Sequence, residues 1–265
     1  MTPQLIVTDL DNTLLDSQHA LDPLTVETFQ ALEAKGHHLA IASGRHVEDI
    51  REVRRQLGVS AHIISTNGAY LHAPDDQLVF ERPLDAALAS ALISELDVPS
   101  DVRVNVYTAD HWWIDAESPN LLAFHESTGF SYRVGDLAAL EGQHVGKVFF
   151  IGEPRLLAAL ETELRARFEG QVHITYSLPN SLEVMAKGAT KGSALEALLE
   201  RLSLPASACL AFGDNLNDYE MLSVAGQAHL VSNAHPHLFT ALPDVTVIGD
   251  HSDAAVARTL KARLL

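Results

Sequence analysis

The stretch Leu5-Ile6-Val7-Thr8-Asp9-Leu10-Asp11-Asn12-Thr13 decides the fold of this chain. Its first four residues are a short apolar run rich in β-branched side chains, which predicts a buried strand. Asp9 and Asp11 follow that strand directly, and open parallel α/β sheets bind ligands at the carboxyl ends of their strands. Two carboxylates in one crevice repel each other, and a bound divalent cation commonly offsets the repulsion. The stretch therefore predicts Mg²⁺, phosphate chemistry and a carboxylate nucleophile.

The charge and composition of the chain exclude several classes of binding partner. The 265 residues carry 35 Asp and Glu against 18 Lys and Arg, a formal net charge of −17. Because nucleic acids and anionic membranes bind basic patches, we expect neither as a partner. We also expect no signal peptide, because no basic segment followed by an apolar one precedes the strand at Leu5, and no spanning helix, since no apolar run reaches ~18 residues. The single Cys209 cannot form an intrachain disulfide, which favours a cytoplasmic location; the sequence does not indicate an oligomeric state.

Strand and helix signals alternate at the start of the chain and again near its end. The predicted segments are, in order, strand 5–8, helix 25–35, strand 39–42, helix 46–57, strand 62–65, helix 191–202 and strand 209–212. Successive strand and helix units of this kind predict an α/β fold with a doubly wound parallel sheet.

The pattern changes between residues 84 and 185. This part is predicted to contain helices at 85–96 and 154–168, a hairpin at 102–107 and 111–115, and strands at 147–151, 172–176 and 181–185. We therefore predict a discontinuous core domain of residues 1–83 and 186–265, split by an inserted α+β domain of residues 84–185.

The residues at the predicted strand ends supply the groups that phosphoryl transfer needs. Asp9 can attack phosphorus and form an aspartyl-phosphate, while Asp11 can protonate the leaving oxygen and then activate water. Ser43 and the backbone of Gly44 can hold phosphate oxygens at a strand-to-helix turn. Lys191, at a helix start, can neutralise charge on the phosphoryl group.

A further acidic turn follows the strand at 209–212. Asp214 would complete a Mg²⁺ shell of hard oxygen ligands, and Asn217 is placed to donate to phosphate. Asp-rich turns are common after strands because Asp accepts backbone N–H bonds. The functional interpretation therefore depends on all the segments occurring together, each at a predicted strand–helix junction.

These segments resemble the motifs of a known family. Asp9-Leu10-Asp11-Asn12-Thr13, Ser43-Gly44-Arg45, Lys191-Gly192 and Gly213-Asp214-Asn215-Leu216-Asn217-Asp218 are similar to the four motifs of the haloacid dehalogenase (HAD) superfamily. The resemblance covers the whole chain, and the insertion resembles the class IIB cap of the Cof-type subfamily. Thr66-Asn67-Gly68-Ala69 also resembles that subfamily.

The resemblance implies a role for each residue. It implies that Mg²⁺ is held by Asp9, Asp214 and the main-chain carbonyl of Asp11. The implied phosphate contacts are the N–H of Leu10, Ser43, Gly44, Lys191 and Asn217. Asp218 would orient Lys191 or the metal shell, and Asn67 would support the site.

The substrate is the least determined part of the prediction. Within the Cof-type subfamily the chain is similar to bacterial phosphatases of sugar phosphates and pyridoxal phosphate. A cap would exclude water and contact the leaving group. Asn105 and Tyr107 share one face of the predicted hairpin and are the candidates for substrate specificity. The alternative is that they are structural residues of that sheet.

The sequence thus favours a Mg²⁺-dependent phosphatase of small phosphorylated metabolites. Asp11 favours this reaction over dehalogenation, since a phosphoester leaving group needs an acid and a halide does not. A phosphomutase or phosphotransferase on the same scaffold is one alternative. A non-catalytic protein that binds phosphorylated metabolites is another, and the intact acidic residues and Lys191 argue against it.

Overall fold

The computed structural model describes residues 4–126, 128–140 and 142–265. The chain forms two compact units, which we call the core domain (Met1–Phe80 with Thr190–Leu265) and the inserted domain (Glu81–Ala189). These bounds lie three or four residues from the predicted ones. The residues by which the bounds differ lie where the chain enters and leaves the inserted domain. There Arg82 donates to the carbonyl of Gly188 over 2.7 Å, which joins the first and last residues of that domain.

The predicted strands and helices named above occur in the predicted order. The strands are β1 Leu5–Thr8, β2 His38–Ala42, β3 His62–Ser65, β4 Tyr70–His72, β5 Leu78–Glu81, β6 Arg103–Thr108, β7 Trp112–Ile114, β8 Arg133–Val134, β9 Val145–Ile151, β10 Val172–Leu178, β11 Ser181–Ala186, β12 Cys209–Gly213, β13 Gln227–Leu230 and β14 Thr246–Val247. The α-helices are α1 Pro23–Ala34, α2 Val47–Leu57, α3 Ala86–Ser94, α4 Pro154–Phe168, α5 Lys191–Leu202, α6 Tyr219–Val224, α7 Pro236–Ala241 and α8 Ala255–Leu264. Of these, β4, β5, β8 and α7 are additions that the sequence did not predict. Short 3₁₀ turns include Thr66–Gly68 and Leu216–Asp218.

The core domain contains a sheet with strand order β14-β13-β12-β1-β2-β3-β4-β5. The pairs from β14 through β3 are parallel, which confirms the predicted doubly wound α/β fold. At the other edge β4 pairs antiparallel with β3, which the sequence reading missed. The Thr66–Gly68 turn between them is too short for the crossover that a parallel pair requires.

Local sequence explains the two helices that begin beside the strand ends. In α2 the ring of His46 accepts the N–H of Glu48 at the start, and Gly58 ends the helix with a left-handed φ of 66°. In α5 the side chains of Thr190 and Ser193 form a reciprocal capping box. The caps fix where each helix starts, and Lys191 is the first residue of α5.

The inserted domain has a sheet of order β10-β11-β9-β6-β7-β8. One face packs through Val106, Val148 and Val184 against apolar residues of α3 and α4, such as Leu92 and Leu160. The alternating residues face the other way, where Tyr107, Trp112 and Phe149 form a separate aromatic cluster. Among the described residues of the whole chain, every helix is too short or too polar to cross a bilayer.

Candidate active site

Two acidic residues meet because their strands are neighbours. Asp9 follows β1 and Asp214 follows β12, and these strands run parallel with Thr8 opposite Phe212. The N–H of Asp9 continues the ladder by donating to the carbonyl of Phe212 over 2.9 Å. With Asp218, they form a buried acidic cluster in which one carboxylate oxygen from each residue lies within 4.8 Å of the others. The parallel register therefore builds the cluster from segments about 200 residues apart.

Lys191 is the cation at the centre of this cluster. Its Nζ lies 2.6 Å from Asp9 Oδ1 and 2.6 Å from Asp218 Oδ1, and the lysine is fully buried. The other oxygen of Asp218 accepts the N–H groups of Asp214 and Asn215, each over 3.0 Å. Because both oxygens of Asp218 are engaged, its contact with Lys191 orients that lysine toward Asp9.

The donor set fits a divalent cation. Burial raises the pKa of Asp9, and the charges of Asp218 and Asp11 add to the effect while Lys191 opposes it. Burial, followed by the charge of Asp9, likewise raises the pKa of Asp214. The cluster contains three carboxylates and one lysine, which contacts Asp9 and Asp218, so the ionised carboxylates carry more negative charge than Lys191 compensates. Hard oxygen donors with excess negative charge are the ligands that Mg²⁺ and related cations prefer.

Thr13 holds Asp214 in place. Its hydroxyl donates to Asp214 Oδ1 over 3.0 Å, and the residue is 1% exposed. This contact leaves the second oxygen of Asp214 and the second oxygen of Asp9 as the groups available to a cation. Thr13 stands inside the stretch that predicted the fold, but the sequence reading gave it no role, since nothing in the local pattern shows where its hydroxyl points.

Asp11 lies in a different electrostatic setting from Asp9. Arg45 donates from Nη2 to Asp11 Oδ1 over 2.5 Å and from Nε to Oδ2 over 2.9 Å. His19 Nδ1 lies 3.3 Å from the same Oδ1. Burial alone would raise the pKa of Asp11, but the Arg45 and His19 contacts hold it well below its usual range. In this arrangement Asp11 is an ionised carboxylate that can accept a proton.

The candidate phosphate-binding groups are connected by Asn67. Its backbone N–H donates to the carbonyl of Ser43 over 3.1 Å, and its side-chain oxygen accepts the amide of Asn217 over 3.0 Å. A Cβ added to Gly44 would lie 2.9 Å from that same oxygen, so only glycine fits there without a shift. Asn67 thus contacts residues from the second and fourth motifs, and the carbonyl of Leu10 accepts the N–H of Leu14 to shape the first.

Asn105 and Tyr107 lie within the inserted domain. Asn105 is fully buried; its side-chain oxygen accepts the indole N–H of Trp112 over 2.9 Å, and its amide donates to the carbonyl of Arg103 over 3.1 Å. Tyr107 is 4% exposed and packs edge-on against Phe149, with 4.8 Å between ring centroids. These contacts account for both side chains as structural residues of their sheet, so a role in specificity stays a prediction from the sequence.

Arg45 is the main residue that the sequence reading left without a role. It stands in the quoted segment Ser43-Gly44-Arg45, next to the predicted phosphate loop. Besides Asp11 it contacts Asp49, with Nη1 3.1 Å from Asp49 Oδ2. The sequence signal is Asp49, an acidic residue that lies on the buried face of α2 with Val53, and that signal does not identify Arg45 as its partner.

Comparisons with known proteins identify the family and the shared fold. The sequence profile of the family described as haloacid dehalogenase-like hydrolase matches residues 6–260. A protein of Haemophilus influenzae named "Putative phosphatase" is 37% identical over 260 residues, covering 97% of this chain and 96% of that protein. A protein of Cronobacter sakazakii named HMP-PP phosphatase is 36% identical over 252 residues, covering 95% and 92%. The structure of a haloacid dehalogenase-like hydrolase from B. subtilis has a TM-score of 0.88 at 22% identity, covering 99% and 100%, and thus shares the fold.

Proposed function

This chain belongs to the haloacid dehalogenase-like hydrolase family, and from that premise we propose that it is a Mg²⁺-dependent phosphatase of small phosphorylated metabolites. The observation that carries the proposal is Lys191 Nζ, which lies 2.6 Å from both Asp9 and Asp218 inside a buried acidic cluster. A buried cation beside a candidate nucleophile suits a reaction in which phosphoryl oxygens gain negative charge.

Asp9 is the proposed nucleophile. One of its carboxylate oxygens forms a bond to phosphorus while the bond from phosphorus to the leaving oxygen breaks, which gives an aspartyl-phosphate. Asp11 is ionised in this structure, so it takes up a proton from solvent before this step and passes it to the leaving oxygen as the bond to phosphorus breaks. In the second step Asp11 accepts a proton from the water that attacks phosphorus, and the bond to Asp9 breaks to release inorganic phosphate.

The remaining residues hold the phosphoryl group and its charge. Lys191 stabilises the negative charge on the phosphoryl oxygens, and Asp218 keeps it oriented. Asp9 and Asp214, with the main-chain carbonyl of Asp11, would hold the divalent cation, which would neutralise carboxylate and phosphate charge when bound. The proposed phosphate donors are the N–H of Leu10, Ser43, Gly44 and Asn217. The Asn67 contacts with Ser43 and Asn217 support this grouping.

The proposed substrates are sugar phosphates and pyridoxal phosphate. We add HMP-PP because a relative is named HMP-PP phosphatase. The net charge of −17 argues against nucleic acid and membrane partners, and it requires that local positive groups such as Lys191, or the bound metal, attract a small anionic substrate. Asn105 and Tyr107 stay candidates for specificity. Substituting each by Ala should change the ranking of substrates by kcat/KM if they act on substrate choice, and should alter only stability if they are structural.

The test is hydrolysis of a phosphate panel by the native protein and by Asp9→Asn. The panel contains glucose 6-phosphate, pyridoxal phosphate, HMP-PP and p-nitrophenyl phosphate, each with Mg²⁺ and with EDTA. We expect turnover only by the native protein with Mg²⁺. Asp244→Asn makes the same chemical change at an exposed position and should retain native turnover. Undiminished turnover by the Asp9 variant would refute the nucleophile, and turnover in EDTA would refute the metal requirement.

A further inference from the structure

We propose that Arg45 is the positioning residue for Asp11, and that Asp49 holds Arg45 in place. The inference rests on the proposed phosphatase function and adds two residues to it. Nε and Nη2 of Arg45 contact the two oxygens of Asp11 over 2.9 and 2.5 Å, while Nη1 contacts Asp49 over 3.1 Å. One planar guanidinium therefore joins two carboxylates.

The geometry requires arginine. Two parallel N–H donors fix the plane of the Asp11 carboxylate as well as its distance, which a single ammonium group cannot do. The side chain of Arg45 is 4% exposed, whereas that of Asp11 is 24% exposed. The guanidinium of Arg45 is thus the buried member of the pair, and the carboxylate of Asp11 is the member that is partly exposed to solvent.

The backbone of Arg45 is held at both ends. Its N–H donates to Ser43 Oγ over 3.1 Å, and its carbonyl accepts the N–H of Thr66 over 2.9 Å. Ser43 belongs to the proposed phosphate loop. The orientation of the acid–base residue is therefore tied to the loop that would hold the phosphoryl group.

Asp49 holds the guanidinium of Arg45 from the first turn of α2. It is fully buried, and a carboxylate in the first turn of a helix is favoured by the helix dipole. A buried ion pair contributes little net stability because desolvation opposes the attraction between the charges. The buried Arg45–Asp49 pair is better explained by the fixed direction that it gives to the remaining donors of Arg45.

The test compares two substrates that differ in their need for an acid. An alkyl phosphate such as glucose 6-phosphate leaves as an alkoxide that requires a proton, whereas p-nitrophenolate leaves without one. If Arg45 positions Asp11, Arg45→Gln should lower kcat for glucose 6-phosphate at least about tenfold more than kcat for p-nitrophenyl phosphate, since general acids contribute about 10²–10⁴-fold. Arg45→Lys should give a smaller loss, and Asp49→Asn should change the ratio in the same direction.

Both substrates are measured on one preparation, so a reduced folded fraction cancels from the ratio. Arg51→Gln is the matched control, because Arg51 lies on the same helix and forms ion pairs with Glu48 and Asp76; its ratio should equal the native one. In an Asp11→Asn background, Arg45→Gln should leave the ratio unchanged.

An equal loss for both substrates in Arg45→Gln would overturn the positioning role while leaving the phosphatase intact. A further change of the ratio in the Asp11→Asn background would also overturn it, since Arg45 would then act independently of Asp11. Failure of the native protein to hydrolyse either substrate with Mg²⁺ would instead refute the proposed function, and this inference with it.

Discussion

Asp9 and Asp11 are two residues apart in sequence, but the structure gives them opposite electrostatic settings. Burial raises the pKa of Asp9, whereas Arg45 and His19 hold the pKa of Asp11 down despite its burial. The acidic cluster could be predicted from sequence because each member follows a recognisable strand. The Arg45 contact could not, since it depends on side-chain directions of residues 34 positions apart.

The raised pKa of Asp214 predicts that, without metal, the free energy of unfolding falls as pH rises. Its folded pKa lies above the ordinary 3.8, so the folded protein keeps a proton that the unfolded chain releases. The unfolded state then binds fewer protons, and the free energy of unfolding falls as pH rises from about 4, by up to about 1.4 kcal/mol per pH unit. Asp214→Asn removes this loss. In EDTA, its Tm should exceed the native Tm by a margin that grows toward alkaline pH.

The same variant should lose the response to metal. Mg²⁺ that binds only the folded state raises the native Tm by mass action, and the Asp214→Asn protein should show little of that rise. Parallel Tm curves for the two proteins against pH in EDTA, or an equal Mg²⁺ shift, would contradict the role given to Asp214. The exposed Asp244→Asn variant should follow the native curves.

At the scale of elements, the turn Thr66–Gly68 connects the parts of the site. Thr66, Asn67 and Gly68 all have left-handed φ values, of 53°, 55° and 95°. Such a run is costly for a β-branched threonine and persists only where the surroundings fix it. The sequence signalled the turn through Asn67-Gly68, but it could not reveal the left-handed Thr66, which only the packing against neighbouring segments imposes.

Gly68→Ala should be far more damaging than the same change at Gly36. A Cβ at Gly68 would lie 2.1 Å from the carbonyl oxygen of Thr190, directly before Lys191, whereas a Cβ at Gly36 meets nothing within 4 Å. Both glycines have positive φ, so both variants lose about 1–2 kcal/mol to the left-handed backbone. We expect Gly68→Ala to lose several kcal/mol more in urea unfolding, and kcat to fall through displaced Lys191. Equal losses at the two positions would show that the turn tolerates a shift.

At the scale of the whole molecule, the strand–helix order of the core domain was readable from the sequence because buried strands and capped helices leave periodic patterns. The antiparallel strand β4 was not, since it has three residues and a short turn on each side. The change of sequence pattern predicted an inserted domain at residues 84–185. The packing inside that domain could not be predicted from the sequence. Side chains alternate between the two faces of a strand, but the alternation does not show which face carries an aromatic cluster.

The inserted domain contains a buried ion pair whose contribution to stability can be measured. Lys147 Nζ lies 2.9 Å from Glu183 Oε1, their side chains are 3% and 4% exposed, and the rings of Tyr107 and Phe149 flank the ammonium at 4.7 and 4.6 Å. Lys147→Met removes the counter-charge of the buried Glu183 carboxylate, which keeps the hydrogen bond from Ser177 Oγ, and should destabilise the domain by about 3–5 kcal/mol. The double variant with Glu183→Gln should recover most of that loss in chemical denaturation. A double variant no more stable than the single one would show that the charges do not compensate each other.

The most direct test of the account is the trapping of a phosphorylated Asp9. The native protein is mixed with substrate and Mg²⁺, quenched in acid during turnover, and digested for mass spectrometry. If Asp9 is the nucleophile, the peptide that contains Asp9 should carry one added phosphoryl group, and the corresponding peptide of Asp9→Asn should carry none. Turnover with the phosphoryl group on another residue, or hydrolysis that persists in the Asp9 variant, would contradict that role.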